Sequence, residues 1–202
     1  MKRFALIVIL ISYISMAFAQ KDDLSKWSFT AEYGINTLDR DGDSSIQPAY
    51  GASVEYAFFP FAGLSLDFYH FPLSGSNFST NLNASDLNIT VNFSRLFFSK
   101  FINKVILNGY LGVGLADYTT NYHSQSPPLS VSKNVVTSII PVGALSVEYY
   151  IIKTLALGAK VQFRPFSKDN LEGDPNFNYN GVYNDNLLAI TVYLRLKLYS
   201  AN

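Results

Sequence analysis

Residues 187–199 of this chain read Leu-Leu-Ala-Ile-Thr-Val-Tyr-Leu-Arg-Leu-Lys-Leu-Tyr. Every second residue from Leu188 to Leu198 is apolar, and the residues between them include Thr, Tyr, Arg and Lys. Because side chains alternate between the two faces of a β-strand, this stretch predicts a strand with one apolar and one polar face. A strand of this length can cross a membrane at a tilt.

The same alternation recurs upstream, over residues 27–36, 49–59, 63–71, 85–94, 104–116, 138–149 and 154–164. The connections between these eight segments are alternately long and short, beginning and ending with a long one. Tight turns at one end and large loops at the other predict an all-β, eight-stranded antiparallel up-and-down barrel. Pro141 fits worst, because a closed barrel needs every strand N–H. Either its strand begins just after Pro141 or a β-bulge sits there.

The N-terminus has the features of an export signal. Lys2 and Arg3 precede an apolar run over residues 4–14 that is too short for a membrane helix, and Ala17-Phe18-Ala19 fits a cleavage site. We therefore predict a signal peptide over residues 1–19 and one barrel domain over residues 20–202. The sequence has no cysteine, which excludes disulfides, and the predicted mature part has 13 basic against 15 acidic residues, which argues against a nucleic-acid partner.

A soluble lipocalin-like barrel would alternate in the same way, with its apolar face inside. Here the apolar faces carry more large side chains than an eight-stranded interior holds, and the opposite faces are rich in small residues. Aromatic residues also gather where the strands should meet the membrane interfaces. The predicted girdle at the short-turn end contains Trp27, Phe58, Phe59, Phe61, Phe97, Phe98, Tyr149, Tyr150 and Tyr199. These features favour a transmembrane barrel in the bacterial outer membrane.

Two stretches resemble small outer-membrane barrels of the OmpA/OmpX type. They are Gly109-Tyr110-Leu111-Gly112-Val113-Gly114-Leu115 and the hairpin formed by residues 141–149 and 155–164. The resemblance covers the layout of the whole mature chain, and it implies both termini in the periplasm and four loops outside. Such a protein would contact outer-membrane lipid and lipopolysaccharide, and the barrel-assembly machinery during insertion. No cofactor is predicted.

Charged residues on the polar faces separate into two groups. Acidic residues lie on the first three segments and the sixth, and basic residues lie on the last two. Barrel closure brings the last strand beside the first, which places Glu32 and Arg195 at similar depth. Because buried charges need partners, we predict a charge network that plugs the lumen, and a gate opened by voltage, pH or ligand is the alternative. The network contains Glu32, Glu55, Asp67, Glu148, Lys160, Arg164, Arg195 and Lys197.

Asp39, Asp41 and Asp43 form a weak Ca²⁺ candidate in the first long loop, since alternating carboxylates can surround that ion. The EF-hand spacing fails, because Ser44 and Tyr50 occupy the positions of the required glycine and final carboxylate. A solvated acidic hairpin tip is the favoured interpretation, and no metal site is predicted.

His70 and His123 are the only histidines of the chain. A lipid-modifying hydrolase or acyltransferase would need one of them beside a serine and a carboxylate. Asp67 and His70 are three residues apart in a predicted strand and therefore point to opposite faces, while His123 has no obvious acid partner. No catalytic residue is predicted.

The sequence thus favours a non-enzymatic protein that serves envelope integrity or surface contact through its outer loops. The fourth loop, residues 165–186, is rich in Tyr, Asn and Gly, which suits contact with a surface protein or glycan. Narrow or gated passage of small solutes is the first alternative, and an outer-membrane lipid-modifying enzyme is the second.

Overall fold

The computed structural model describes residues 26–39, 44–75, 78–97, 104–125, 128–166 and 186–198. Its elements in chain order are β1 (Trp27–Asp39), β2 (Ser44–Ser45), β3 (Gln47–Phe59), β4 (Ala62–Gly75), β5 (Phe78–Asn92), α1 (Phe93–Phe97), β6 (Val105–Gln125), β7 (Pro128–Ile152), β8 (Leu155–Pro165) and β9 (Asn186–Leu198). Within these ranges, no helix is long and apolar enough to cross a membrane.

The long strands close into one antiparallel barrel. Their order is β4-β3-β1-β9-β8-β7-β6-β5, and β4 also pairs with β5, which completes the ring. The first and last long strands meet over the whole length of β1, from Trp27↔Leu198 to Asp39↔Asn186. The short β2 only adds two residues beside the end of β4. The predicted all-β barrel of eight consecutive strands is confirmed.

Two hairpins at the long-loop end extend further than the sequence pattern predicted. Residues 72–84 and 117–137, which we expected to be loops, are mostly strand and remain paired between β4 and β5 and between β6 and β7. The pattern failed there because the outward positions change from apolar to polar, as at Asn83 and Asp117, while the backbone ladders continue.

β7 runs straight through Pro141, which pairs with Val113 of β6. Both sequence alternatives for this proline are therefore wrong. The ladder between β7 and β8 begins only at Gly143↔Phe163, so Pro141 lies beyond it and its missing N–H takes no bond from that ladder. The nearby register shift of the β6–β7 pair lies between Ala116 and Tyr118.

A short helix, α1, takes the place of a tight turn after β5. Strand β5 ends at Asn92, whose side-chain Oδ1 accepts the Arg95 N–H at 2.8 Å in the manner of a helix N-cap. The Ser94 hydroxyl oxygen then accepts the Leu107 N–H at 2.8 Å, which ties the helix to β6.

The outer wall carries an apolar belt. On β6 the outward side chains from Val105 (40 % exposed) to Leu115 (50 % exposed) are apolar apart from a single glycine, Gly109. With a rise of about 3.4 Å per residue and a tilt of about 40°, this stretch spans about 26 Å, close to the apolar band of outer-membrane barrels. The apolar faces therefore point outward, as expected for a membrane barrel and opposite to a lipocalin-like cup.

The inner wall changes polarity with height. On β5 the inward face passes from Leu82 to Asp86, while the outward face passes from Asn83 to Leu87. The short-turn half of the lumen is therefore polar, and the long-loop half is mostly apolar, with the hydrogen-bonded hydroxyls of Thr80 and Thr120 among its buried polar groups. We call the buried apolar set of the long-loop half the outer core, and it consists of Leu38, Ala49, Tyr69, Phe71, Leu73, Phe78, Leu82, Ala84, Ala116, Tyr118, Ile140, Phe166, Leu187 and Ala189.

Candidate functional site

The lumen holds three tiers of buried ion pairs below the outer core. Each tier is centred on one basic side chain of β8 or β9, because these strands place Arg164, Lys160 and Arg195 on their inward faces at successive heights. We call them the upper, middle and lower tiers, with the upper tier nearest the long loops.

The upper tier is a two-bonded ion pair against stacked rings. Arg164 donates from Nη1 to Asp86 Oδ1 at 2.6 Å and from Nη2 to Asp86 Oδ2 at 2.5 Å. Its guanidinium carbon lies 5.0 Å from the ring centroids of both Tyr69 and Phe71, which are themselves stacked. Such paired, charge-assisted hydrogen bonds fix the guanidinium plane, and the rings shield it from water.

The middle tier is centred on Lys160. Its Nζ donates to Glu32 Oε1 at 2.6 Å and to the Tyr69 hydroxyl at 2.7 Å, and it lies 3.7 Å from Asp67 Oδ2. The second oxygen of Glu32 accepts the Thr191 hydroxyl at 2.9 Å. One ammonium group thus joins β1, β4 and β8 across the lumen.

The lower tier places Arg195 between two carboxylates. Its Nη1 lies 3.3 Å from Glu55 Oε2, and its Nε lies 3.3 Å from Glu148 Oε2. Arg195 also donates from Nη2 to the Tyr110 hydroxyl at 2.7 Å, and the Tyr193 hydroxyl donates to Glu148 at 3.3 Å. The three tiers together connect strands from opposite sides of the barrel.

All eight charged residues predicted for the lumen lie on inward faces. The register pairs Glu32 with Tyr193 and Arg195 with Thr30, so Glu32 and Arg195 are two residues apart along the β1–β9 ladder and do not contact each other. Glu32 instead reaches Lys160, because the lumen is narrow enough for side chains of non-adjacent strands to meet.

Asp86 is the principal site residue that the sequence reasoning missed. It is fully buried and is the partner of Arg164. Because Leu87 and Ile89 face outward, alternation places Asp86 on the inner face. Asp86 was nevertheless left out of the predicted network because it is only the second residue of the predicted strand, 85–94. The inward tyrosines Tyr69, Tyr110 and Tyr193 were also missed, although they follow the same alternation.

The predicted aromatic girdle divides into two groups. Trp27, Phe58, Phe97 and Tyr149 are 44–65 % exposed on the outer wall or at its rim. Tyr150 belongs instead to the lumen, since its hydroxyl donates to Glu148 at 2.9 Å and Lys197 Nζ lies 4.4 Å from its ring centroid.

The remaining girdle residues lie elsewhere. Phe59 and Phe61 stack at 5.7 Å beside the lumen mouth of the short-turn end. Phe98 and Tyr199 lie outside the described residues.

Small residues make room for the tiers at two points. Gly158 faces Tyr193 in the β8–β9 register, and a Cβ there would overlap the tyrosine ring. Gly114 similarly faces the Asp86 carboxylate, so a side chain at that position would displace the upper tier.

The weaker candidates contribute no site among the described residues. Asp39 ends β1, and Asp41 and Asp43 lie outside the described ranges. No group of three metal-ligating side chains occurs in the described part of the chain. His70 faces outward, with Nδ1 2.8 Å from Asn83 Oδ1, whereas Asp67 is buried inside. His123 lies in β6, opposite Ser130.

The charged tiers close the lumen. The central side chains Arg164, Lys160 and Arg195 are only 0 %, 3 % and 4 % exposed. A cavity of 60 Å³ lies at the short-turn end, and Arg195 is part of its lining. The described interior is therefore a packed plug with a vestibule at one end.

Solved structures share this architecture. Neisserial surface protein A superposes with a TM-score of 0.59 at 15 % identity, covering 86 % of this chain and 98 % of that one. Ail, the attachment invasion locus protein of Yersinia pestis, superposes with a TM-score of 0.53 at 10 % identity, covering 87 % of this chain and all of Ail. The chain has the fold of the small outer-membrane β-barrels.

Identity at this level establishes the fold and nothing finer. The outer membrane enzyme PagL also matches this barrel, at 8 % identity and a TM-score of 0.44, covering 85 % of this chain and 99 % of that one. So weak a likeness carries no information about activity. The sequence matches no protein-family model and no curated protein.

Proposed function

We propose that this protein is an integral barrel of the bacterial outer membrane that neither conducts solutes nor catalyses a reaction. It serves envelope integrity or surface contact through the hairpins and loops it presents outside. Residues 1–19 direct its export and are removed, so N-terminal sequencing of the mature protein should begin at Gln20. The observation that carries the proposal is the combination of a closed lumen with two hairpins whose strands stay paired beyond the apolar belt.

The closed lumen argues against passage of solutes. Moving a cation of any tier out of its place would separate it from a carboxylate in a water-poor interior. Leaving one buried partner uncompensated typically costs about 3–5 kcal/mol, and three tiers would have to open together. The outer core would still block the path above them.

Single-channel recording on planar bilayers tests this point. We expect no discrete conductance steps from a preparation whose gel band shifts on boiling, which shows that the barrel is folded. Arg164→Ser, which shortens the central side chain of the upper tier, is the informative variant. Steps in the wild-type protein that grow larger in Arg164→Ser would refute the closed-lumen proposal and favour gated passage.

The projecting hairpins support a role in surface contact. Their outward side chains are polar, as at Asn81, Asn83 and Asp117, so they are compatible with water beyond the membrane. Their inward side chains, such as Leu82 and Tyr118, belong to the outer core and are buried. Where a hairpin packs on this core, as β4 and β5 do, its backbone is held in place, which lowers the entropy lost on binding.

Replacing residues 119–135 by a tight turn removes the outer part of the β6–β7 hairpin and leaves the belt intact. If surface contact is the function, cells carrying this variant should lose adhesion to immobilised surface proteins or glycans, while detergent resistance of the envelope stays normal. If envelope integrity is the function, detergent resistance should fall and adhesion should not change. Ail has been solved with the heparin analogue sucrose octasulfate, which makes that compound a convenient glycan probe.

The enzymatic alternative has a direct test. His70 and Asp67 lie on opposite faces of β4, so they do not form a catalytic pair. Mass spectrometry of lipid A from cells with and without the protein should give identical spectra. A modification that disappears in His70→Ala or His123→Ala would overturn the non-enzymatic proposal.

A further inference from the structure

A polar cavity lies in the lumen at the short-turn end, below the lower tier. Its volume is 60 Å³, enough for about four water molecules at about 15 Å³ each. The turn between β3 and β4 forms one side of it, and Arg195 contributes to its wall. The cavity is a vestibule without an exit through the plug.

Cationic side chains gather around this cavity. Among the residues that the structure describes, its lining contains Lys26, Arg195 and Lys197 as well as Arg95, together with the carboxylates Glu55 and Glu148. Cationic groups that converge on a small polar space attract an anion to it.

Both carboxylates are already engaged by other groups. Arg195 lies 3.3 Å from one oxygen of each. Glu55 also accepts the Thr90 hydroxyl at 3.3 Å, and Glu148 accepts the Tyr150 hydroxyl at 2.9 Å. Arg195 therefore holds both carboxylates, and neither of them is within ion-pair distance of Lys197 among the described residues.

Lys197 is held at the cavity by an aromatic ring. Its Nζ lies 4.4 Å from the Tyr150 ring centroid, and the described part of the chain offers this ammonium no ion pair. A cation seated on a ring keeps donors available for a ligand. The Ser28 hydroxyl and the Asn108 amide add further hydrogen-bonding groups to the lining.

We propose that this vestibule binds a small oxyanion of the phosphate type, with Lys197 as its principal ligand and Lys26 at the entrance. A tetrahedral oxyanion accepts several charge-assisted hydrogen bonds at once, which suits lysine and arginine donors converging from different strands. The phosphate group is either free in the periplasm or part of a phospholipid headgroup of the inner leaflet. Because the plug closes the far side, binding here is independent of conduction.

Isothermal titration calorimetry tests the site. The full mature protein in maltoside detergent is titrated with inorganic phosphate at constant ionic strength, and a chloride titration serves as the reference. We expect one saturable phosphate site. Lys197→Gln should weaken it about tenfold or more, because one charged hydrogen-bond donor is lost. Lys26→Gln should weaken it less, since Lys26 is exposed.

Lys104→Gln is the matched control. Lys104 lies at the same end of the barrel, exposed, with its Nζ 6.0 Å from the Tyr149 ring, and it does not line the cavity. This variant should bind phosphate as the wild type does. Absence of a saturable phosphate signal, or equal weakening by Lys104→Gln and Lys197→Gln, would show an ordinary water-filled vestibule and overturn the proposal.

Repeating the titration in phospholipid nanodiscs distinguishes the two sources of phosphate. A lower apparent affinity than in maltoside would indicate that a headgroup competes for the site. An unchanged affinity would assign the site to free phosphate. A boiling-dependent gel shift confirms that each variant is folded, and if Lys197→Gln does not fold, Lys26→Gln against Lys104→Gln still decides the question.

Discussion

Arg164→Met should destabilise the barrel strongly, because it leaves a buried carboxylate without its cation. Arg164 makes both short hydrogen bonds to Asp86, whose only other hydrogen bond among the described residues comes from Gln162 Nε2 at 3.4 Å. Two charge-assisted hydrogen bonds and an uncompensated buried charge correspond to a loss of about 3–5 kcal/mol in the free energy of unfolding.

The double variant Asp86→Leu with Arg164→Met should recover most of this loss. Phe71 and Val142 lie beside the pair, so two apolar side chains can fill most of the space, and the long 3.4 Å hydrogen bond from Gln162 is the one polar contact that is lost. Replacing a buried ion pair by well-packed apolar residues is often neutral or stabilising by about 1–4 kcal/mol. The coupling between the two positions should therefore be large.

Urea titration in lipid vesicles measures these free energies, with the gel shift and the fluorescence of Trp27, the single tryptophan, as two readouts. The control is Arg164→Lys, which keeps a cation but loses the two-bonded geometry and should have an intermediate effect. A loss below about 1 kcal/mol for Arg164→Met, or a double variant as unstable as that single one, would refute the role assigned to the pair.

Three further predictions concern other parts of the lumen and wall. Gly158→Val should destabilise by about 1–3 kcal/mol in the same urea assay, because its side chain overlaps the Tyr193 ring, and an unchanged midpoint would contradict the packing. Leu82→Asn should expose the projecting hairpins to limited proteolysis without abolishing the gel shift. Leu87→Asn, on the lipid face five residues away, should instead impair membrane insertion and leave the hairpins protected. The reverse pattern would refute the assignment of Leu82 to the inner face and of Leu87 to the outer face of β5. Lys160→Met should cost about 3–5 kcal/mol, since two carboxylates lose their cation, and an equal effect of the exposed control Lys104→Met would argue against a specific role.

The barrel and its apolar belt were predictable because they depend on a period of two along each strand. Leu188 to Leu198 alternate without interruption, and β9 presents those residues outward. The projecting hairpins were not predictable in this way. In residues 72–84 the apolar side chains are inward and the outward ones are polar, so the stretch lacks the apolar lipid-facing pattern and resembles a loop.

The sequence predicted which charged residues face the lumen better than it predicted which of them form ion pairs with one another. Alternation alone puts Glu32 and Lys160 on inward faces, but their contact depends on the stagger of strands around the barrel. That stagger is a property of the closed ring and cannot be read from any one strand. Asp86 was missed for a simpler reason, namely that the predicted strand began too close to it.

The change of the outward face from apolar to polar toward the long-loop end also fixes the height at which the barrel rests in its bilayer. Sinking by two residues, about 5 Å along the membrane normal, would carry the level of Asn83 and Asp117 toward hydrocarbon, and rising by the same amount would lift apolar belt residues into water. Both displacements raise the free energy at every strand around the ring. The protein thus has one narrow resting depth, and a host membrane of a different thickness must deform locally to match it.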